Sequence, residues 1–167
     1  MKRIKFFLLT LMLMAGVGLA NAQEGTNAVG FNLGYATGGE GIGNFGIGVK
    51  YSYQMSDNLR VQPSFTYYFE KDDVNMYDLS LDFHYLFNFN NDKMAFYPIF
   101  GFTAPFYKWN SPIEEVDGHT WTRFGCNLGA GLQYNLTDDF AVVGEVKYKL
   151  VKDIDHAAIA IGCVVQF

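Results

Sequence analysis

Apolar and polar side chains alternate one for one over eight long stretches between residue 27 and residue 167. A β-strand turns successive side chains to opposite faces, so this period of two predicts strands that each have one apolar face. The predicted strands span residues 27–36, 44–54, 59–70, 76–88, 94–107, 121–134, 140–150 and 157–167. Globular strands usually have about 5–6 residues, whereas a tilted strand that crosses a membrane needs roughly 9–11. The lengths therefore favour membrane-crossing strands.

The last predicted strand shows the pattern most clearly. Its apolar residues share one face, and that face is Ala157, Ile159, Ile161, Cys163, Val165 and Phe167. A soluble domain rarely stops in the middle of a strand with a fully apolar face. The closing strand of an outer-membrane β-barrel does so routinely, because its apolar face contacts lipid.

The opposite strand faces carry the ionisable residues, namely Lys50, Arg60, Glu70, Asp78, Asp82, His84, Arg123, Glu145, Lys147 and Lys149. A basic side chain that faces lipid at the middle of the bilayer costs roughly 2–4 kcal/mol, so these residues are expected to point inward. A soluble sandwich or lipocalin would place its apolar faces inside instead. We predict an all-β fold: a closed, eight-stranded, antiparallel, up-and-down transmembrane β-barrel with a packed polar interior.

The glycines agree with a narrow lumen. Nine of the 18 lie on the predicted inward faces: Gly30, Gly34, Gly46, Gly48, Gly101, Gly125, Gly129, Gly131 and Gly162. An eight-stranded barrel is barely wide enough for its own side chains, so small residues must alternate with large ones. We expect the buried charges to be nearly balanced and fully paired.

Three prolines depart from the pattern, because proline has no N–H for a ladder hydrogen bond and a closed barrel has no free edge. Pro98 and Pro105 lie near strand ends, where bulges could accommodate them. Pro63 lies within the third predicted strand. We expect that strand to be irregular or shifted in register.

The N-terminal segment has the features of a secretory signal peptide. Lys2, Arg3 and Lys5 precede an apolar run, and an Ala-Asn-Ala sequence ends at Ala22. The alternative is a membrane anchor, but the apolar run is shorter than the roughly 20 residues that span a bilayer. Cleavage after residue 22 leaves one domain, 23–167, with nine basic and 17 acidic residues. This excess of acid argues against nucleic-acid binding.

The predicted connections alternate in length. Turns 55–58, 89–93 and 135–139 are short and rich in Asp and Asn, and we assign them and both termini to the periplasm. The connections on the other side would face outside, and only 108–120 is long. It supplies the predicted surface contact residues Trp109, Pro112, Ile113, Glu114 and Glu115, with Trp121 just beyond it.

On these residues the chain resembles the small OmpA/OmpX-like "porin family" outer-membrane β-barrel proteins of Gram-negative bacteria. The signal peptide, eight alternating strands, the turn 136–140, the strand segment 145–148 and the terminal Phe167 carry the resemblance. It implies a monomer in the outer membrane, in contact with lipid and lipopolysaccharide. It also implies insertion by the barrel-assembly machinery, which would read Phe167, Val165 and Cys163 in the last strand.

Motifs that could carry chemistry are weak. Ser80, Asp82 and His84 lie on one inward face, but Ser80 and His84 are expected to be roughly 13 Å apart, beyond the reach of a nucleophile and base. The chain also lacks the His-x-Ser pair of the lipid A deacylases. His119 and His156 could approach Glu114 or Glu115 and bind a metal, without recognised ligand spacing. We assign no catalytic, cofactor or metal residue.

Cys126 and Cys163 are the only cysteines, and both are predicted to face outward. If Tyr134 pairs with Phe140 and Leu150 with Ala157, the two thiols lie roughly 16 Å apart. A disulfide needs Cα atoms within about 7 Å, so free thiols are expected.

Three functions remain open. The first is a non-enzymatic barrel without an open pore that serves surface structure, adhesion or envelope integrity. The alternatives are a minor conduit for small solutes and, third, an enzyme that modifies lipid A.

Overall fold

The computed structural model describes residues 27–38, 42–71, 74–91, 93–109, 120–152 and 154–167. Within these ranges the chain forms ten β-strands. They are β1 (Asn27–Gly38), β2 (Ile42–Gln54), β3 (Leu59–Lys71), β4 (Val74–Tyr85), β5 (Phe87–Phe89), β6 (Met94–Trp109), β7 (Thr120–Thr122), β8 (Gly125–Asn135), β9 (Phe140–Val151) and β10 (His156–Gln166). This part of the chain has no helix long and apolar enough to cross a membrane.

The strands close into a barrel. Each neighbouring pair is antiparallel, β1 pairs with β10, and β4 pairs with β6 to join the two ends of the sheet. Strand β5 continues β4 beyond Leu86, and β8 continues β7 beyond residues 123–124. The described strands therefore make an eight-stranded wall, which confirms the predicted fold class.

The alternation of side chains builds the two surfaces of this wall. In β1 the side chains of Val29, Phe31 and Leu33 are 46–54% exposed on the outside, whereas Ala28 and Asn32 are buried inside. The same alternation places outward-facing Phe, Tyr, Leu, Ile and Val side chains all around the described barrel. The exterior is therefore apolar and the interior polar, as the sequence pattern predicts.

Pro63 lies opposite a gap in the β2–β3 ladder. Lys50 pairs with Ser64 and Tyr53 pairs with Val61, with no pairing between these two. The register is the same on both sides of the gap, and Pro63 still pairs with Leu81 of β4. The expectation that this strand is irregular or shifted in register is correct: the ladder is interrupted opposite Pro63, which has no N–H to donate, although the register is retained there. The shift in β3 lies between Tyr68 and Lys71.

The other two prolines coincide with the two interrupted wall strands. By register, Pro98 faces Tyr85 at the break between β4 and β5, and Pro105 faces Arg123 at the break between β7 and β8. The register continues unchanged across both breaks. The prolines therefore interrupt the ladders locally without adding the bulges that the sequence suggested.

The two ends of the barrel differ. The short turns 55–58, 90–93 and 136–139 lie at one end, here called the turn end, together with Asn27 and Phe167, which exchange two backbone hydrogen bonds. Asn90 and Asn91, in the turn between β5 and β6, have positive φ angles of 56° and 52°, a conformation that asparagine tolerates well. The opposite end, where residues 110–119 connect β6 to β7, is the loop end.

Cys126 and Cys163 are free. Cys126 pairs with Leu150 and Cys163 with Val142, so the predicted register was wrong by two residues at both β9 hairpins. In the first hairpin, Phe140 is itself part of the turn, because its carbonyl accepts hydrogen bonds from the N–H groups of Leu136 and Thr137. The two thiols are therefore farther apart than predicted, because their partners lie eight positions apart on β9.

Candidate functional site in the barrel lumen

The structure places most of the predicted inward ionisable side chains inside the barrel. Seven are at most 8% exposed, namely Lys50, Arg60, Asp78, Asp82, His84, Glu145 and Lys149. The side chain of Lys147 is 12% exposed. The side chain of Glu70 lies outside the described part of the structure.

Arg123 is placed differently from its prediction. It is exposed and lies between β7 and β8, where Pro105 interrupts the ladder. Its N–H donates to the carbonyl of Pro105, 3.2 Å away. The register is unchanged across this break and sets Arg123 opposite the buried Pro105, so its exposure goes with a position near the loop end of the wall.

Glu145 is the centre of the interior network. Its Oε1 lies 2.7 Å from Nζ of Lys50, and its Oε2 lies 3.1 Å from Nζ of Lys147. The hydroxyl of Tyr97 donates to Oε1 at 3.2 Å. Lys147 continues the chain of charges to Oδ2 of Asp82 at 2.6 Å. In a low-dielectric interior such hydrogen-bonded ion pairs are strong and mutually dependent.

A second ionic group surrounds Asp78. Its Oδ1 lies 2.8 Å from Nζ of Lys149 and accepts a hydrogen bond from Oγ of Ser80 at 2.6 Å. The hydroxyl of Thr103 donates to Oδ2 at 2.7 Å. A small polar chamber of about 30 Å³ lies between this group and Glu145. This volume holds on the order of one or two water molecules.

Arg60 occupies the turn-end side of the network. Its Nη1 donates to Oε1 of Gln133 at 2.9 Å, its Nε donates to Oε1 of Gln54 at 3.3 Å, and its guanidinium lies 5.9 Å from the centre of the Tyr97 ring. Among the described residues, no carboxylate forms an ion pair with Arg60. The expectation of complete charge pairing is therefore wrong at this residue, where amide oxygens solvate the cation instead.

The residues that suggested a hydrolase do not assemble as one. Ser80 donates to Asp78, and Asp82 binds Lys147 and the side-chain amide of Asn127. The ring of His84 stacks on Tyr97 with a centroid distance of 4.7 Å. Neither ring nitrogen of His84 has a hydrogen-bond partner among the described residues. A general base cannot act on a serine to which it has no hydrogen-bonded path.

Glycine lets two tyrosines lie flat inside the wall. Tyr97 pairs across strands with Gly131, and Tyr68 pairs with Gly46. A Cβ atom at Gly131 would overlap the Tyr97 ring, and one at Gly46 would lie 2.7 Å from Cδ1 of Tyr68. Each of these tyrosines therefore lies opposite a residue without a side chain, and the two rings fill part of the lumen.

Apolar clusters flank the polar network at both ends. Toward the loop end, Ala36, Tyr68, Met76 and Tyr107 pack together with Ile154. Toward the turn end, two clusters contain Leu86, Ala95, Tyr97 and Ile99, and Ala28, Val143 and Val164. The described lumen is consequently a plug of polar side chains, most of them hydrogen-bonded, between apolar layers.

The described residues contain no group of three or more His, Cys, Asp or Glu side chains that could hold a metal. His156 is buried, and its Nδ1 lies 3.1 Å from the carbonyl of Ile154. His119, Glu114 and Glu115, its predicted partners, lie outside the described residues, as do Pro112 and Ile113 and the side chains of Trp109 and Trp121.

Sequence reasoning missed several members of the network because they carry no charge. Gln62, Asn127 and Gln133 are buried and donate to or accept from the ionic residues. The side-chain period could have identified these three amides, because each of them occupies an inward position in its strand. Uncharged amides at such positions should be counted with the ions when a lumen is predicted.

The geometry agrees with comparison to known proteins. The family model for the outer membrane protein beta-barrel domain matches residues 6–167. The chain belongs to this family. Comparison with the curated proteins gives no match.

Among solved structures, the N-terminal β-barrel domain of Pseudomonas aeruginosa OprF is 19% identical, covers 86% of this chain and all of its own, and has a TM-score of 0.67. Neisserial surface protein A is 15% identical, with 86% and 97% covered and a TM-score of 0.69. Ail, the attachment invasion locus protein of Yersinia pestis, is 20% identical, with 87% and 100% covered and a TM-score of 0.63. At these identities the similarity establishes the fold.

Family and fold together account for the apolar exterior. An outer-membrane barrel sits in a lipid bilayer, where every backbone polar group of the wall must find a partner within the protein. The closed ladder meets this requirement, and the exposed Phe, Leu, Ile and Val side chains contact hydrocarbon.

Proposed function

We propose that this outer-membrane barrel is a non-enzymatic protein without an open pore that serves surface structure, adhesion or envelope integrity. The filled lumen is the observation that supports this proposal. Ion pairs centred on Glu145 and Asp78 occupy the middle of the described barrel, and apolar clusters lie toward both ends. An eight-stranded wall leaves little room for anything beyond its own side chains.

In the proposed orientation, the turn end and both termini face the periplasm and the loop end faces the exterior, after removal of residues 1–22. The long connection 108–120, with Trp109 and two glutamates and with Trp121 just beyond it, is then the main surface for contacts outside the cell. Two structurally similar proteins are consistent with a surface role, since one is called an attachment protein and the other a surface protein. Ail has also been solved with the heparin analogue sucrose octasulfate.

A loop replacement tests the contact role. Residues 110–119 would be exchanged for a short Asn-Gly turn, and adhesion of expressing cells to plates coated with extracellular-matrix protein would be measured. We expect adhesion to fall to the level of cells without the protein. The matched control exchanges residues 39–41 at the same end for the same turn and should leave adhesion unchanged. Equal adhesion by all variants would refute the assignment of this loop.

We also propose that the protein is a monomer and that its last strand, with Cys163, Val165 and Phe167 outward, is read by the assembly machinery during insertion. Exchange of Phe167 for Gln should lower the folded fraction in the outer membrane. Exchange of Gln166, which faces the other side of the same strand, should not. The heat-modifiable mobility of the barrel on a gel measures the folded fraction.

A minor conduit for small solutes is the second candidate, because the polar chamber of about 30 Å³ lies within the lumen. Single-channel recording in planar bilayers separates the two functions. The filled barrel should show no steady conductance above that of protein-free membranes. Discrete openings that change when Lys147 is exchanged for Met would instead favour the conduit.

A further inference from the structure

The outward surface of the wall contains one feature that its regular side-chain rows do not explain. A groove of about 490 Å³ lies beside the break between β4 and β5, toward the turn end. Its outward-facing lining consists of Leu59, Phe83, Tyr85, Pro98, Phe100 and Leu128. These side chains come from four wall strands, so the groove is a property of the assembled barrel.

The groove arises from the hydrogen bonding of the wall. Pro98 cannot donate to the strand opposite, and the pairing between β6 and its neighbour stops at His84 and resumes at Phe87. On the other side, the ladder between β4 and β3 continues in register beyond Tyr85: the N–H of Leu86 donates to the carbonyl of Asn58 at 2.7 Å, and the side-chain amide of Asn58 donates to the carbonyl of Leu86 at 2.9 Å. At this point β4 is therefore hydrogen-bonded to β3, whereas its pairing with β6 is interrupted at Pro98.

The position of the groove points to its occupant. At the turn end it begins beside an outward aromatic group, in which Tyr85 lies 5.0 Å from Phe87 and Phe87 lies 6.3 Å from Phe96. Aromatic girdles of this kind lie at the level of the lipid headgroups. From there the groove runs to Phe100 and Leu128, toward the middle of the wall. It is continuous on both sides with the surface that contacts hydrocarbon.

We propose that this groove binds one acyl chain of a phospholipid from the membrane leaflet at the turn end. An apolar depression in a bilayer cannot be filled by water at reasonable cost, and an empty one loses dispersion contacts. A flexible acyl chain excludes water from the groove and restores the missing dispersion contacts. Its ester end lies at the aromatic girdle, and its methylenes lie along Leu59, Pro98 and Leu128.

Photo-cross-linking tests the site directly. The full-length protein is reconstituted into vesicles of a phosphatidylethanolamine that carries a diazirine in the middle of one acyl chain, and adducts are mapped by mass spectrometry. We expect Leu128 to be labelled about tenfold more than Leu33, a preference equivalent to about 1.4 kcal/mol. Leu33 is a fair reference, because it is an outward leucine in the middle of β1, away from the groove, and is similarly exposed, 54% against 46%.

Two variants probe the same groove in different ways. Leu128→Trp fills it with a side chain, and Pro98→Val restores the missing N–H so that the ladder can close. Each should remove the preferential label while leaving the folded fraction on a heat-modifiable gel unchanged, whereas Leu132→Trp should keep it. If one groove variant does not fold, the other still decides the question.

Other outcomes overturn the proposal. Equal labelling of outward residues all around the barrel would mean that lipid only surrounds the protein without a site. A protein–protein adduct through Tyr85 or Leu128 would mean that a second copy of the chain covers the groove. Preferential label that persists in both Leu128→Trp and Pro98→Val would place the bound chain elsewhere.

Discussion

At the scale of single residues, Glu145 is the side chain on which the interior charges depend. It lies between the ammonium groups of Lys50 and Lys147 and also accepts from Tyr97 and Gln62. Removing one partner from a buried ion pair leaves an uncompensated charge, which costs more than the pair itself contributes.

Glu145→Gln tests this dependence, because it keeps the shape of the side chain and removes its charge. We expect the free energy of unfolding in detergent micelles, measured by guanidinium titration, to fall by about 3–5 kcal/mol. Asp138→Asn, an exposed acid in a turn, is the control and should change it by about 0.5 kcal/mol or less. Adding Lys50→Met to Glu145→Gln should restore part of the loss. A loss of similar size in the control variant would show that the lumen is not the cause.

Two glycines on neighbouring strands provide a second residue-scale comparison. Gly131 lies under the Tyr97 ring, whereas Gly144 faces outward with no atom within 4 Å of an added Cβ. We expect Gly131→Ala to destabilise the barrel by about 1–3 kcal/mol through overpacking. Gly144→Ala should stabilise it by about 0.5–1 kcal/mol, because alanine loses less conformational freedom. The same titration measures both, and destabilisation by both substitutions would contradict the inward and outward assignment.

At the scale of strands, proline and turn geometry determine where pairing continues. Each strand proline faces a gap in one ladder while the register on both sides is retained. The hairpin between β8 and β9 shows the effect of turn geometry. Its turn includes Phe140, so the pairing of the two strands is shifted by two residues from the predicted register, in which Tyr134 pairs with Phe140.

The register of β9 and β10 can be tested with the native Cys163. Val142 lies directly opposite it, and Gly144 is two positions further along β9. Directly opposite Cα atoms are about 4.5–5.5 Å apart, within the range of a disulfide. Val142→Cys should therefore cross-link to Cys163 under mild oxidation, whereas Gly144→Cys should not. Intact mass and peptide mapping detect the bond. Cross-linking only in Gly144→Cys would restore the predicted register.

At the scale of the whole molecule, the barrel is apolar outside and polar inside, so exposure in the structure does not mean exposure to water. Ile161 is 63% exposed at the middle of β10, and Leu136 is 55% exposed in a turn. In a soluble protein the two positions would tolerate charge equally well. In a bilayer only the turn contacts water.

Arginine substitutions distinguish these environments. We expect Ile161→Arg to lower the free energy of unfolding in phospholipid vesicles by about 2–4 kcal/mol, because the cation lies near the midplane. Leu136→Arg, at a similar exposed fraction, should cost about 0–1 kcal/mol. Urea titration of the refolded protein in vesicles measures both. An equal and small effect of the two would be incompatible with membrane insertion of this wall.

The residues Lys50, Asp78, Asp82 and Lys149 could be assigned to the lumen from the sequence, because a period of two fixes which face each side chain shares with its neighbours. The exposure of Arg123 could not be predicted, because it lies where β7 and β8 are interrupted opposite Pro105, a residue of the facing strand. The ion-pair partner of each charged side chain could not be predicted from the sequence either. Lys50 and Glu145 are 95 residues apart in the chain, and only closure of the barrel brings them together.

The sequence by itself thus determined the local geometry of this protein: eight alternating wall strands, an apolar exterior and an interior that carries the charges. These follow from side-chain periodicity and the cost of charge in hydrocarbon, both of which act over a few residues. The tertiary structure decided the pairing register, the ion pairs, the apolar clusters at the two ends of the lumen and the groove beside Pro98. Each of these depends on which residues of distant strands lie opposite one another, and that is settled only when the wall closes.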